Sequence, residues 1–198
     1  MERVLLGWPP EGPTLRLDHR RFSYAGKFVM SNTGKAIVRR TAEDVETDTT
    51  DGDGYDSDVL AAVAFNADRT DPDALWLRYV TVRDDYRGEG LGPGLCRFVA
   101  RRAADRGYGT VSIAVNNPFA YEALYRAGFG FGGRETGLAE LVLTRPAAEP
   151  LSDRSPETYQ AGLDRYRDGE RELSAAEVSF LDRKRGASPP KLAEPPPS

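Results

Sequence analysis

Arg87-Gly88-Glu89-Gly90-Leu91-Gly92 decides the reading of this chain. It follows the strand-like run Leu75-Trp76-Leu77-Arg78-Tyr79-Val80-Thr81-Val82 and opens a helix with the apolar stripe Leu91, Leu95, Phe98, Val99 and Ala103. A strand, a glycine-rich turn and a helix start let bare backbone N–H groups converge on an anion, helped by the positive end of the helix dipole. Gly88, Gly90 and Gly92 remove side chains that would hold a diphosphate off the backbone, and Arg87 adds a charged fork for phosphate. The stretch reads as a pyrophosphate cradle. A P-loop would end in Gly-Lys-Ser/Thr, whereas Gly92 is followed by Pro93-Gly94. A Rossmann turn needs a wider last glycine spacing and an acid about 20 residues on, and Asp105 comes too early for that.

A second motif follows. Thr110-Val111-Ser112-Ile113-Ala114-Val115 has a strand pattern and leads into Asn117-Pro118-Phe119-Ala120-Tyr121-Glu122-Ala123-Leu124-Tyr125-Arg126-Ala127-Gly128-Phe129. Asn117 suits a helix cap, Pro118 the first helical position and Gly128 a left-handed stop. In order and spacing the two motifs resemble the Arg/Gln-x-x-Gly-x-Gly/Ala and Asn-x-x-Ala…Gly-Phe signatures of the Gcn5-related N-acetyltransferases (GNAT). The resemblance covers residues 58–146 and fades outside them.

That resemblance implies a mixed α/β (α+β) domain: a central, mostly antiparallel sheet with one splayed parallel strand pair and flanking helices. It implies acetyl-CoA as cosubstrate, with direct acetyl transfer to an amine on a small molecule or a protein or peptide. Val80, Thr81 and Val82 would offer backbone groups to the pantetheine arm; Arg87, Gly88, Glu89, Gly90, Leu91 and Gly92 would hold the diphosphate; Asn117 would add a contact. The family's proton donor to the leaving thiolate is a tyrosine on the second-motif helix. Leu124 stands at its usual position, so Tyr125, one residue later, is the candidate acid and Tyr121 the alternative. Their i, i+4 spacing also suits core packing. The commonest position for a general base holds Arg78, which cannot accept a proton. Arg78 is instead a candidate to bind an anionic acceptor, or a solvent-facing strand residue. Two rival readings stay open: a catalytically degenerate acyl-CoA-binding sensor or structural module, and an acyltransferase with another acyl group or a non-amine acceptor.

The bulk composition sets outer bounds. At 198 residues, 39% hydrophobic and 29% charged, the chain suits one domain with some excess. No apolar run approaches the length of a membrane span, and the apolar core of Val4-Leu5-Leu6 is too short for a secretory signal, so a cytoplasmic setting is the default. A net charge of −4 argues against broad nucleic-acid binding. Cys96 is the single cysteine and His19 the single histidine, which leaves no zinc-type ligand set, and no metal is expected. Asp51-Gly52-Asp53-Gly54-Tyr55-Asp56 hints at a calcium loop, but Tyr55 fills a ligand position and Ala62 replaces the closing glutamate.

Residues 1–146 form the expected acetyltransferase domain. Within it, residues 1–40 read as short strands and turns around Val4–Leu6, Thr14–Leu17, Lys27–Met30 and Ala36–Val38, with no amphipathic helix. Phe131-Gly132-Gly133 reads as a turn and Leu138–Thr144 as the last strand. Residues 147–185 read as a helical extension. Its first helix is capped by Ser155 and aligns Tyr159, Leu163 and Tyr166; its second opens with a Ser174-x-x-Glu177 box and a Leu173/Val178 staple. Those faces should dock on the domain or on a second subunit, and a homodimer is left open. Residues 186–198 are Pro-rich and are expected to be disordered.

Overall fold

Val59-Leu60-Ala61-Ala62-Val63-Ala64-Phe65 has no polar side, and every residue in it is buried, as a central strand requires. In the computed structural model, which describes residues 1–10, 12–41, 54–136 and 140–193, this run belongs to β3 (Val59–Ala67). The other strands are β1 (Glu2–Gly7), β2 (Gly34–Arg39), β4 (Ala74–Val82), β5 (Thr110–Val115), β6 (Gly130–Glu135) and β7 (Leu141–Pro146). They form one sheet in the order β1-β2-β3-β4-β5-β7-β6. Every neighbouring pair is antiparallel except β4 with β5. The mixed α/β architecture with one parallel pair is the one the motifs imply.

The helices are α1 (Leu91–Asp105), α2 (Pro118–Arg126), α3 (Pro156–Asp168) and α4 (Ala175–Arg183). α1 buries Leu95, Val99 and Ala103 against Ala61, Val63 and Phe65 of β3. The opposite face of the sheet carries small side chains, Ala62 and Ala64. Leu15, Leu17, Phe22 and Phe28, from the chain between β1 and β2, fill the space above them. That segment has no α-helix; a 3-10 turn at Ala25–Lys27 is its one helical element among the described residues. The strands expected at Thr14–Leu17 and Lys27–Met30 are absent: Leu15 and Phe28 share a backbone bond of 3.0 Å, but no ladder forms. Lys35 ties the segment down. It is fully buried, and its ammonium donates to the Met30 and Thr33 carbonyls and the Thr33 hydroxyl at 2.6, 3.1 and 3.1 Å.

Two local readings need correction. Phe131-Gly132-Gly133 lies inside β6 as a bulge: Gly130↔Thr144 and Phe131↔Leu143 pair with β7, the register then shifts until Glu135↔Leu141, and Gly133 takes a left-handed φ of 83°. The final strand begins at Leu141, and residues 137–139 lie outside the described residues, as do Asp51–Asp53 of the calcium-like loop.

The extension docks on the same chain. Tyr159, Leu163 and Tyr166 are buried on α3, and Gly162 lets α3 approach α2 so closely that a Cβ there would lie 2.1 Å from the Tyr121 hydroxyl. On α4 Leu181 is buried, but Val178 is 44% exposed and contributes no docking surface. The described part of the Pro-rich segment lies against the domain: Arg154 donates to the Pro190 carbonyl at 2.9 Å, Ala193 N–H to Arg126 O at 2.8 Å, and Arg97 to the Ala193 carbonyl. Proline supplies acceptors but no N–H, so arginine donors can hold such a segment without a ladder. Residues 194–198 lie outside the described residues.

Glu177 fastens α4. It closes a capping box with Ser174 and pairs with Arg171 at 2.7 Å. Arg171 first, then the Ser174 bonds, hold its carboxyl down at about 2 against an ordinary 4.5. The stabilisation is therefore complete above about pH 4.5 and is lost as pH falls towards 2. Glu177→Gln should lower stability by roughly 1–2 kcal/mol at neutral pH. Thermal melts of parent and variant should converge as the pH is lowered through that window; an equal gap at neutral pH and at the acid end of the window would contradict the assignment.

Candidate active site

β4 and β5 pair only from Ala74↔Thr110 to Leu77↔Ile113. Beyond that, β4 runs on to Val82 and β5 to Val115 without bonding to each other. The parting has a local cause. The β3–β4 register steps from Ala64↔Tyr79 to Phe65↔Leu77, so Arg78 is an extra residue that bends β4. An open cleft of about 990 Å³ lies between the arms, lined by Arg78–Val82 on one and Ile113–Asn117 on the other. Backbone groups on these inner edges have no strand partner, an arrangement that persists only where water or a ligand satisfies them. Thr81 also lines the cleft, is 4% exposed, and has a buried hydroxyl with no hydrogen-bond partner in the protein. An orphan of that kind costs roughly 1–3 kcal/mol.

The glycine motif sits at the mouth. Gly88 and Gly90 have φ of 87° and 81°, left-handed values that favour glycine. Gly90 is the N-cap of α1; no side chain caps that helix and no acid stands in its first turn. The space over Gly88 and Gly90 is open, with nothing within 4 Å of where a Cβ would lie. The first N–H groups of α1 are thus left for solvent or an incoming anion. Helix α2 differs: Asn117 Oδ1 accepts from Ala120 N–H at 2.8 Å, so this N-terminus is already satisfied.

Of the expected binding residues, Val80, Thr81, Val82, Arg87, Gly88, Gly90, Leu91, Gly92 and Asn117 all line the cleft. Glu89 is exposed and does not. Arg87 is ion-paired with Asp84 and donates to Ser23 Oγ at 3.1 Å, so its approach to a ligand must exchange those partners. Arg78 lies in the cleft wall, with Nε donating to Asn66 at 2.6 Å and the guanidinium over the Trp76 ring. Cys96 also borders the cleft, but burial pushes its thiol up to about 12, which rules it out as a nucleophile at neutral pH. Three carboxylates line the walls. Glu122 pairs with Lys184 at 2.6 Å and Glu177 with Arg171, while Glu140 accepts from the Thr136 hydroxyl at 3.3 Å and forms no ion pair among the described residues. Among the described residues no group of three or more His, Cys, Asp or Glu is placed to hold a metal ion, and no helix is long and apolar enough to cross a membrane.

The cleft of parted strands, with an uncapped glycine-led helix at its mouth, has a counterpart in sequence: residues 33–131, half of the chain, match the model of the acetyltransferase (GNAT) family. The chain belongs to the GNAT family. Similar solved structures include nourseothricin acetyltransferase, 20% identical over 60% of this chain and 69% of that one, with a TM-score of 0.45. A GCN5-related N-acetyltransferase from Kribbella flavida is 19% identical over 58% and 67%, with a TM-score of 0.44. A Bacillus subtilis acetyltransferase in complex with CoA is 12% identical over 57% and 75%, also at 0.44. No curated protein matches the chain.

The tyrosines of this GNAT chain are placed elsewhere than their sequence position promises. Neither Tyr121 nor Tyr125 reaches the cleft; both are fully buried on the face of α2 turned to α3. Their hydroxyls lie 3.2 Å apart; Tyr121 donates to Tyr159 O at 3.1 Å, and Phe131 N–H donates to the Tyr125 hydroxyl at 3.1 Å. Tyr159 and Tyr166 complete the cluster around Tyr121, with ring centroids 5.7 and 5.9 Å away. Burial drives the Tyr121 hydroxyl far above its ordinary value. Leu124, about 100° around the helix from Tyr125, is the residue that borders the cleft. The acid role assigned to Tyr125, or in its place Tyr121, therefore lacks access to the cleft. Sequence reading also missed Glu140, Glu177 and Phe180 as wall residues. The last two come from the extension, and nothing in their local sequence signals a site.

Tyr125→Phe should behave as a packing mutation. It leaves a buried N–H at Phe131 without its acceptor, at a cost of roughly 1–3 kcal/mol. The variant should melt at a lower temperature while its turnover, read as CoA release, stays within about twofold of the parent's. The opposite result, turnover slowed roughly 30-fold or more with unchanged Tm, is the size expected for a lost general acid and would restore the catalytic role.

Proposed function

We propose that this GNAT chain is an acetyl-CoA-dependent N-acetyltransferase, acting through residues 1–146 with the 147–185 extension completing one wall of the cleft. The observation that carries this reading is the parting of β4 and β5 towards the uncapped N-terminus of α1. The residues present fit the cosubstrate. The unpaired inner edge of Arg78–Val82 suits the amide-bearing pantetheine arm, and the Thr81 hydroxyl is an unused polar group beside it. Gly88, Gly90, Leu91 and Gly92 offer the diphosphate a bare backbone and the positive end of α1, and Arg87 can join by leaving Asp84. Acetyl-CoA bound there supplies the acetyl group as a thioester.

The chain's own contribution is mostly positional. Backbone N–H groups on the inner edge of β4, near Val82, polarise the carbonyl, and the apolar wall of Val80, Leu124 and Ile113 limits water at the reacting carbon. Tyr24, Tyr79 and Tyr86 line the cleft, so the departing thiolate takes its proton from one of their hydroxyls or from water. A thiolate with a reference pKa near 8.5 takes its proton from water tolerably well. A binding-only sensor is the second reading, favoured by Leu124 at the place where a proton-donating hydroxyl would reach the cleft.

Gly90→Asp tests the cradle. It puts a carboxylate and a strained left-handed residue at the anion site, where open space leaves the rest of the fold undisturbed. Calorimetric titration with acetyl-CoA should show binding weakened at least a hundredfold in a variant that still melts cooperatively. Unchanged affinity would remove the diphosphate assignment. Release of free CoA by the parent only when an amine is added separates transfer from binding alone.

A further inference from the structure

Trp76 is 8% exposed, yet it belongs to neither apolar cluster of the molecule. Its strand neighbours Leu75 and Leu77 pack with α1, so by alternation Trp76 points to the opposite face of the sheet. Two cations lie over its ring there, the guanidinium carbons of Arg78 and Arg134 at 5.2 and 5.6 Å from the centroid. The strand registers put both arginines at the level where the sheet forks. Arg78 is the first residue of β4 past its last pair with β5, Leu77↔Ile113. Arg134 lies in the β6 bulge between Phe131↔Leu143 and Glu135↔Leu141, at the level of Val142. Val142 in turn pairs with Ala114, the first residue of β5 past that same last pair. A bulge re-aims side chains, and this one turns Arg134 from β6 across β7 and β5 towards β4.

Two guanidiniums gathered on one ring repel each other, and no carboxylate cancels them. Among the described residues neither forms an ion pair: Arg78 gives its Nε to the neutral amide of Asn66, and Arg134 makes no polar contact beyond the ring. Asp68 is the nearby acid, but its two oxygens are taken by the Trp76 indole N–H, the Thr70 N–H and hydroxyl, and the Asp71 N–H. Arg69 adds a like charge beside Arg78. The terminal nitrogens of both arginines are therefore unused donors at the fork of the cleft, and stacking on Trp76 holds them there. Resting on the transferase function proposed above, we infer that Arg78 and Arg134 clamp an anionic group, a carboxylate or a phosphate, on the acyl acceptor. The phosphates of the cosubstrate do not fill this place. Their cradle begins beyond Val82, four residues or about 13 Å further along β4. The clamp selects amines that carry a negative charge, and it orients the amine by fixing the other end of the molecule.

The test uses the full chain with acetyl-CoA and reads free CoA. Amines are offered in pairs that differ in the anionic group: L-amino acids against their carboxamides for the carboxylate arm, O-phosphoethanolamine against ethanolamine for the phosphate arm. The parent should prefer the anionic member of at least one pair by roughly tenfold or more in kcat/KM. Arg134→Gln should raise KM for that member roughly tenfold to a hundredfold and leave its kcat within about twofold. Kinetics with the neutral member and affinity for acetyl-CoA should not change. Arg134→Lys, which keeps the charge, should recover part of the loss. Arg78→Gln should repeat the pattern, whereas Arg102→Gln, which removes the same charge from the exposed surface of α1, should not. A parent that takes the neutral members as readily, or that acetylates no anionic amine, overturns the proposal. So does a Gln variant that raises KM for both members alike, or only lowers Tm, since that is the mark of arginines that merely cover the ring. Failure of the parent to bind acetyl-CoA would instead refute the transferase function itself.

Discussion

The parallel contact between β4 and β5 is short, and the site depends on its shortness. Nine residues of β4 and six of β5 share only the pairs from Ala74↔Thr110 to Leu77↔Ile113. Had the pairing continued to Val82 and Val115, every inner backbone group would be satisfied and no cleft would exist. The Arg78 bulge prevents that, and antiparallel partners on the outer side of each arm, β3 and β7, keep the opened strands extended. Each arm then feeds a helix. Because both helices start just past the strand ends, both positive ends point to the same mouth. One of them is closed by Asn117 and the other is left open at Gly90, so the mouth presents a single uncapped helix start.

Helix α2 shows how one residue of phase separates chemistry from support. At 3.6 residues per turn, Leu124 and Tyr125 cannot share a surface. Leu124 faces the cleft with Ala120 and Ala123, while Tyr121 and Tyr125 face α3 and hold Tyr159, Phe131 and Tyr166. The extension exploits that second face. Gly162 removes the Cβ that would strike Tyr121, and Lys184 reaches back to Glu122. A helix that could have carried a proton donor is anchored instead as the floor of one wall.

Local signals were legible in the sequence wherever the physics is local. The glycine motif, the Asn117 and Ser155 caps and the Ser174–Glu177 box all concern backbone groups within a few residues of the side chain involved, and each forms as its spacing implies. What the sequence hid was set by distant partners. Gly132 and Gly133 favour a turn, and pairing of Phe131 and Glu135 with β7 on either side holds them as a bulge within β6. Pro189–Ala193 lacks the apolar content to fold alone, yet Arg154 and Arg97 provide donors for its carbonyls. Val178 satisfies the hydrophobic pattern but no surface comes to meet it. The segment before β2 has no helical periodicity because small Ala62 and Ala64 let irregular chain reach the sheet directly.

The charge distribution in the cleft has the same origin. A carboxylate lining an open groove is solvated and costs little, so three of them could have been equivalent. The extension makes them unequal, since Lys184 pairs with Glu122 and Arg171 with Glu177, while Glu140 has no ion pair among the described residues. On the facing arm Arg78 is fixed through Nε to Asn66 and stacked on Trp76, but its terminal nitrogens stay available. A ligand lying across the arms would thus meet a cation on β4 and an anion beside β5. The extension, outside the stretch matched by the family model, thus decides which carboxylate of the cleft is left without a paired cation.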